Sequence, residues 1–470
     1  MSSSQEQAIR RAVESARSCF NAGTTIPISG RQKNLTALLR EIEKSRTEIY
    51  SALKQDLNKS RTEAYMSEIS LVKAEIKHLR RRLPWLAMPR PKLPALSQLP
   101  GWLQVQREPY GVVLVMSPWN YPFQLTMEPI AAAIAGGNTV VVKPSAYTPH
   151  TCEVIEKILR RALPPGMASV IRGGRVENTA LLEQRFDHIF FTGSPAVGRV
   201  VMEAASRYLT PVTLELGGKS PCFVDRTANI EKAARRILFG KLLNAGQTCV
   251  SIDYVYVHED VRAQLIAALQ AGISRALPSE QYRKSTFVKI ISPKHFSRLS
   301  GLLAEQRLLG AKGGGHAEDY LDRQTQQIKP VIVDNPSWDS PVMSEEIFGP
   351  ILPVLPFTDL EATLADYEER EHPLALYIFT KDRGFARQVM SKVNAGGVCI
   401  NDTLLHMSSS KAPFGGVGNS GMGNYHGDWS FKAMTREQTV LRKSWLFDIP
   451  VRHHPYGEKS LKILRSLLRF

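Results

Sequence analysis

The chain is poor in the features of a disulfide-stapled, metal-bound or membrane-spanning protein. Its 470 residues include five cysteines, Cys19, Cys152, Cys222, Cys249 and Cys399. They are odd in number, widely spread and free of any C-x-x-C pair, which argues against a disulfide framework and a structural zinc site. A reducing, cytoplasmic setting is expected. No window approaches the ~20 apolar residues of a membrane-spanning helix. The opening MSSSQEQAIRRAVESARS lacks the apolar core of a secretory signal. RNP-like aromatics, zinc-finger spacing and a basic leucine zipper are also missing. The net charge of +16 therefore reads as a solvated basic surface and not as a nucleic-acid interface. There is no internal repeat and no low-complexity tract.

What is present alternates. Apolar residues recur at helical spacing over 32–57 (Leu35, Leu38, Leu39, Ile42, Ile49, Leu53, Leu57) and over 63–83 (Met66, Ile69, Ile76, Leu79), predicting two amphipathic helices. The proline-rich stretch 84–109 excludes a regular helix and reads as an extended arm. GVVLVMS (111–117), TVVV (139–142), ASVIRG, DHIFFTG and PVTLELGG read as strands, with helices between them. One of these helices, 148–163, opens with a Thr cap and a first-position proline. Such alternation predicts a parallel sheet covered on both faces. A second alternating block begins near 218. Residues 311–328 read as a polar surface loop, and 458–470 as a short basic amphipathic helix. That helix either docks on the body or makes weak contact with a membrane surface.

Several segments carry residue types suited to chemistry. Cys249 in NAGQTCVS reads either as a small buried residue or as a nucleophile, and its Asn, Gly and Gln neighbours are not core-like. Glu215 ends an apolar strand before two glycines, suiting a backbone-capped carboxylate or a general base tuned by burial. Asn120 in SPWNYPF follows the first strand, at the sheet edge where ligands bind; it reads as a turn residue or as an oxyanion donor. FTGSPAVG is no G-x-G-x-x-G, yet a strand running through Gly193 and Ser194 into a helix suits an anion. Lys143 in VVVKPSA reads as solvent-facing or as a ligand to a ribose or phosphate. EEIFGPI and the glycine-rich PFGGVGNSGMGNYHG complete the set; the latter has too much glycine for a packed helix or strand.

Seven motifs in this order (PWN, KPSA, FTGS, LELGGKSP, NAGQTC, EEIFGP and PFGGVGNSGMG) resemble the aldehyde dehydrogenase superfamily over nearly the whole chain. The short N-terminal region and the GMGNYHG ending resemble its class 3 branch, of fatty, aromatic and coniferyl aldehyde dehydrogenases. The resemblance implies an α/β fold. A Rossmann-like NAD(P)-binding domain would span 1–90 and 110–217, and a second α/β catalytic domain 218–420. An oligomerisation arm would span 91–109 and 421–450, and a basic tail 451–470. It implies Cys249 as nucleophile, Glu215 as general base and Asn120 as oxyanion donor. It places Lys143 on the adenosine ribose, Gly193 and Ser194 at the pyrophosphate, and Gly198 in the helix behind them. Glu346 would hold the nicotinamide ribose, with Phe348 beside the nicotinamide.

Tyr121 and His406 fall in segments that, by the resemblance, approach the substrate channel; packing is the other reading. Family members that prefer NAD often carry a Glu where this chain has Ala146, so NADP is expected alongside NAD. The expected partners are a small aldehyde and a second copy of the chain, with no metal. Two other functions stay open at this point. One is a coenzyme A-acylating or reductive relative. The other is a silent structural or membrane-associated member, which would have no need for Cys249, Glu215 and Asn120 together.

Overall fold

Strand Val112–Met116 is buried along its whole length, as the run GVVLVMS predicts for a central parallel strand. The computed structural model describes residues 3–367, 370–446, 448 and 450–467. Alternate residues of that strand enter different cores. Val113 and Val115 pack with Val140, Val142 and the helix Gln124–Gly136. Val112, Leu114 and Met116 pack with Ile9, Val13 and Ala16 of the helix Ser3–Asn21. Period-two alternation between two apolar faces requires helices on both sides of the sheet.

Six strands form this sheet, in the order 421–422, 212–216, 188–193, 112–116, 139–143, 168–170. Four of the five pairings are parallel, and only Gly421–Met422 runs antiparallel. The chain starts at 112–116 and winds first to one side and then to the other. The C-terminal ends of 112–116 and 188–193 therefore flank a topological switch point. A second sheet of eight strands follows, in the order 313–315, 308–310, 331–334, 351–357, 254–258, 221–224, 375–379, 397–400. A separate three-stranded sheet joins Arg90–Lys92, Gly101–Pro109 and Thr435–Lys443.

Some local expectations change. The 32–57 span is two helices, Ile28–Lys44 and Arg46–Leu57, broken at Ser45. The 63–83 span opens with Arg61–Ala64, passes through a π-helical turn at Tyr65–Ile69, and continues as Ser70–Leu86. Pro84 thus lies inside a helix. The Arg80 carbonyl that it deprives of a partner accepts from Gln32 Nε2 at 3.1 Å, which compensates the lost bond. The 311–328 segment is not a plain loop. Leu321–Asp322 pairs with Gln327–Ile328, and buried Gln327 accepts from Arg283 Nη1 at 2.6 Å and donates to the Phe287 carbonyl at 2.6 Å.

The glycine-rich segment does supply a strand, because Gly421 stands opposite Glu215. A Cβ at Gly421, which has φ +137°, would lie 2.2 Å from the Leu214 carbonyl oxygen. Residues 421–422 therefore belong to the first sheet and not to the arm. The tail forms a helix, Glu458–Leu467, with Leu461 and Ile463 exposed; its last three residues, 468–470, lie outside the described residues. Among the described residues no helix is long and apolar enough to cross a membrane.

Helix Pro149–Ala162 begins at Thr148, but the threonine side chain does not cap it. Asp56 does so from another helix, accepting from His150 N at 3.3 Å and from Thr151 N at 2.8 Å. Asp56→Ala should therefore open the first turn of this helix. Amide exchange at 150–152 should speed up about tenfold, the equivalent of a cap of ~1.4 kcal/mol, while exchange at the Ser194-capped helix stays unchanged. Equal rates at both helices would contradict the assignment.

Candidate active site

Three loops meet beyond the switch point. The first, Ser117–Phe123, links its strand to helix Gln124–Gly136. It is held from below by a buried ion pair, Lys59 Nζ to Glu68 Oε1 at 2.5 Å, with both side chains fully buried. Glu68 Oε2 accepts the Phe123 and Gln124 N–H groups at 2.8 and 3.2 Å. Lys59 donates to the Asn120 carbonyl at 3.0 Å and lies 4.1 Å over the Tyr121 ring. The Asn120 side chain is buried and donates to the Gln247 carbonyl at 3.0 Å. Its Oδ1 has no partner among the described residues.

The second loop follows helix Ile230–Leu242. Asn244, Ala245 and Gly246 take φ values of 54°, 53° and 72°. Three successive left-handed residues are costly for non-glycine side chains, so the turn needs external support. Asn244 N donates to Glu63 Oε1 at 2.6 Å, and Asn244 Nδ2 to the Asn120 and Gln247 carbonyls at 2.8 and 3.0 Å. Gln247 in turn donates to the Lys289 carbonyl at 3.1 Å and accepts from Ile291 N at 3.1 Å. At Gly246 a Cβ would lie 2.3 Å from the Gly349 carbonyl oxygen. The turn ends by presenting Cys249, whose Sγ stands 3.7 Å from Glu215 Oε1.

Glu215 is buried on strand Val212–Leu216. Its Oε2 accepts from Tyr425 Oη at 2.8 Å and from Thr192 Oγ1 at 3.2 Å. Burial pushes its carboxyl up to about 7, against the lowering effect of those hydrogen bonds. Burial, together with the Glu215 and Glu346 carboxylates, raises the Cys249 thiol well above its ordinary value. The thiol therefore ionises most readily by handing its proton to a neighbour, and Glu215 is poised near neutrality to receive it.

The third loop carries Glu346 and Phe348. Lys219 fastens it, pairing with Asp253 Oδ2 at 2.5 Å and donating to the Glu345 carbonyl at 2.7 Å. Asp253 Oδ1 accepts from Ile347 N at 2.9 Å. Burial, then nearby Asp253, lifts Glu346 to about 8. A Cβ on Gly217 would lie 2.2 Å from Glu346 Oε2, so this glycine makes room for the carboxylate. Phe348, at φ +52°, stands edge-on to Trp119 with ring centroids 5.3 Å apart.

The remaining candidates are spread along the sheet edge. Lys143 ends its strand almost fully buried. Its Nζ donates to the Pro144 carbonyl at 2.6 Å, and burial lowers its ammonium. Gly193 and Ser194 lead into the 12-residue helix Pro195–Ser206, and Ser194 Oγ accepts from Val197 N at 3.5 Å. Gly198 is a packing residue, since a Cβ there would lie 2.8 Å from Leu216 Cδ2. A dinucleotide fits these residues. Lys143 is buried and Glu346 half-buried, neither with an ion pair of its own among the described residues, and the N-terminus of the helix Pro195–Ser206 suits a pyrophosphate.

Tyr121 is buried, with its hydroxyl 2.7 Å from Oγ1 of Thr248, the residue before Cys249. His406 is set apart, between Tyr377 and Phe414. Neither of its ring nitrogens has a partner among the described residues, and burial lowers it to about 4. The residues that sequence reasoning missed are Lys59, Glu63, Glu68, Asp253 and Tyr425. The signal for Glu63 and Glu68 was charge within an otherwise amphipathic helical pattern; Lys59 falls between the two helical spans, and Tyr425 stood in GMGNYHG.

The family model "Aldehyde dehydrogenase family" matches residues 1–440. A 4,4'-diaponeurosporen-aldehyde dehydrogenase of Staphylococcus aureus is 41% identical over 445 residues, covering 94% of this chain and 96% of the relative. A rat (Rattus norvegicus) "aldehyde dehydrogenase, dimeric NADP-preferring" is 38% identical, covering 92% of this chain and 94% of the relative. The solved substrate-bound state of Staphylococcus aureus AldH superposes with a TM-score of 0.93 at 39% identity, covering 98% of this chain and 99% of that one. The thiol–carboxylate–amide cluster at the switch point thus belongs to a fold and a sequence shared end to end, and the chain is a member of the aldehyde dehydrogenase family.

Proposed function

We propose that this aldehyde dehydrogenase oxidises medium- or long-chain aliphatic or aromatic aldehydes to carboxylic acids through a thioester on Cys249. The observation that carries the reading is the 3.7 Å approach of the Cys249 sulfur to a buried Glu215 that titrates near neutrality. Glu215 takes the thiol proton, and the sulfur bonds to the carbonyl carbon. The oxyanion that results faces the Asn120 amide and the Cys249 N–H, a pair of donors fixed before reaction. NAD or NADP, when bound, supplies the acceptor for the hydride that leaves this carbon. Once Glu215 has released that first proton to solvent, it takes a proton from water as the water oxygen bonds to the thioester carbon; the C–S bond then breaks, and the sulfur takes the proton back from Glu215 as the acid departs.

Lys143 would hold the adenosine ribose and Gly193–Ser194 the pyrophosphate, with Glu346 on the nicotinamide ribose and Phe348 beside the ring. The carboxylate beside the sulfur favours hydrolysis over transfer to coenzyme A. Tyr121 serves the site by fixing Thr248, and His406 belongs to the channel wall. In this reading residues 1–90 with 110–217 bind the cofactor, and 218–420 carry the nucleophile.

The three-stranded sheet, with Trp102 and Leu441 exposed, pairs two copies. The amphipathic helix Glu458–Leu467 makes weak contact with an anionic membrane surface. Light scattering should give twice the 52.4 kDa chain mass, and removal of 451–470 should reduce flotation with anionic vesicles. A monomer, or unchanged flotation, counts against the respective assignment.

Cys249→Ala should abolish aldehyde-dependent reduction of the cofactor, and Asn120→Ala should lower kcat by roughly 10²–10³-fold. In the intact enzyme kcat should rise with pH through an apparent pKa near 7, because Glu215 must be ionised to act as base. Glu215→Gln should lose that limb and slow both acylation and hydrolysis, with any acyl adduct that does form persisting long enough to be seen by mass spectrometry. An unchanged limb would remove Glu215 from the role of base.

Cofactor choice follows from Ala146, which offers no carboxylate to repel a 2′-phosphate. kcat/KM for NADP should lie within roughly a hundredfold of that for NAD, and Ala146→Glu should shift the ratio towards NAD. A stronger native preference for NAD would contradict this.

A further inference from the structure

The corner of the first sheet beside Lys143 holds a cation with no part in the chemistry above. Strands Thr139–Lys143 and Ala168–Val170 run parallel with Val142 opposite Val170, and Ile171 N donates to the Val142 carbonyl at 2.8 Å. Lys143 and Ile171 thus leave the sheet side by side, with Arg172 one residue further on. Cys152, on the helix that follows Ala146, lies within electrostatic reach of both Lys143 and Arg172. The guanidinium bonds Glu156, Nε to Oε2 at 2.7 Å and Nη2 to Oε2 at 2.5 Å.

That pair is open to solvent, with Arg172 52% and Glu156 39% exposed. Exposed pairs of this kind contribute about 0–1 kcal/mol, so the guanidinium can leave for a stronger partner. The other charges facing this corner are Glu153 and Glu177. Glu177 is turned away onto its own helix, where its Oε2 accepts from Gly174 N at 2.7 Å. Ala146 is exposed on the rim and supplies no charge.

We propose that Arg172 is the specificity-determining residue for NADP, exchanging Glu156 for the adenosine 2′-phosphate while Lys143 holds the neighbouring ribose hydroxyl. The inference rests on the reading that Ala146 admits NADP. A planar guanidinium matches two phosphate oxygens at once, which the Lys143 ammonium cannot do. Glu156 competes for the same fork and so tempers the affinity.

The test is calorimetric titration of the full-length chain with adenosine 2′,5′-bisphosphate and, separately, ADP, without aldehyde or turnover. Arg172→Ala should weaken the 2′,5′-bisphosphate about tenfold or more (~1.4 kcal/mol) and change ADP binding by less than about twofold. Arg172→Lys should recover only part of the loss. Glu156→Gln should tighten the 2′,5′-bisphosphate by about two- to threefold, as expected for removing an exposed competing pair. Equal weakening of both ligands, or no change in either, would overturn the role of Arg172 and leave the cofactor reading intact. If the unaltered chain binds ADP but not the 2′,5′-bisphosphate, the cofactor reading itself fails, and this proposal with it.

Discussion

The site depends on one ion pair that never touches solvent, Lys59 with Glu68. Two charges removed from water cost several kcal/mol each, and their mutual attraction offsets this only when the remaining donors and acceptors are also satisfied. Here they are. Glu68 takes two backbone amides at the start of a helix, and Lys59 takes the Asn120 carbonyl and the face of Tyr121. An apolar pair of the same volume would pack as well, but it would leave those amides and that carbonyl unpaired. The pair is better understood as fixing the position of Asn120 than as a source of stability.

Glu63, on the same helical stretch as Glu68, extends the same logic to Cys249. Its carboxylate takes the Asn244 amide, and Asn244 in turn bridges to the Asn120 carbonyl. One short helical stretch with a π turn therefore locates both the amide donor and the sulfur. The electrostatics then divide the labour. Thiol, Glu215 and Glu346 share a buried space in which no two of them ionise without cost. Glu215, stabilised by Tyr425 and Thr192, keeps the lower value, about 7 against about 8 for Glu346.

The strand–helix alternation was legible because the central strands are continuous apolar runs and the helices have capped ends. Cys249 stood out because its Asn, Gly and Gln neighbours are unsuited to a core, whereas Glu215 at the end of an apolar strand and Asn120 between two prolines were singled out only by the resemblance of their motifs to the family. Glu63 and Glu68 were not, since within a helical pattern a buried charge and a solvated one look alike until the partner strand or loop is known, and Lys59, in the connection between two helices, reads as an ordinary solvated lysine. The same reason hid Asp56 as the cap of a helix about a hundred residues downstream. Gly421–Met422 escaped because glycine marks freedom of backbone in a sequence. In this fold it marks a place where two backbones come too close for any side chain.

The back-to-back contact of Gly246 with the Gly349 carbonyl carries a mechanical consequence. The turn before Cys249 and the loop that bears Phe348 and Glu346 form one stiff unit with no side chain between them to absorb a displacement. Any force exerted on the aromatic side of that unit arrives at the sulfur undamped, so the two halves of the reaction chamber move together or not at all.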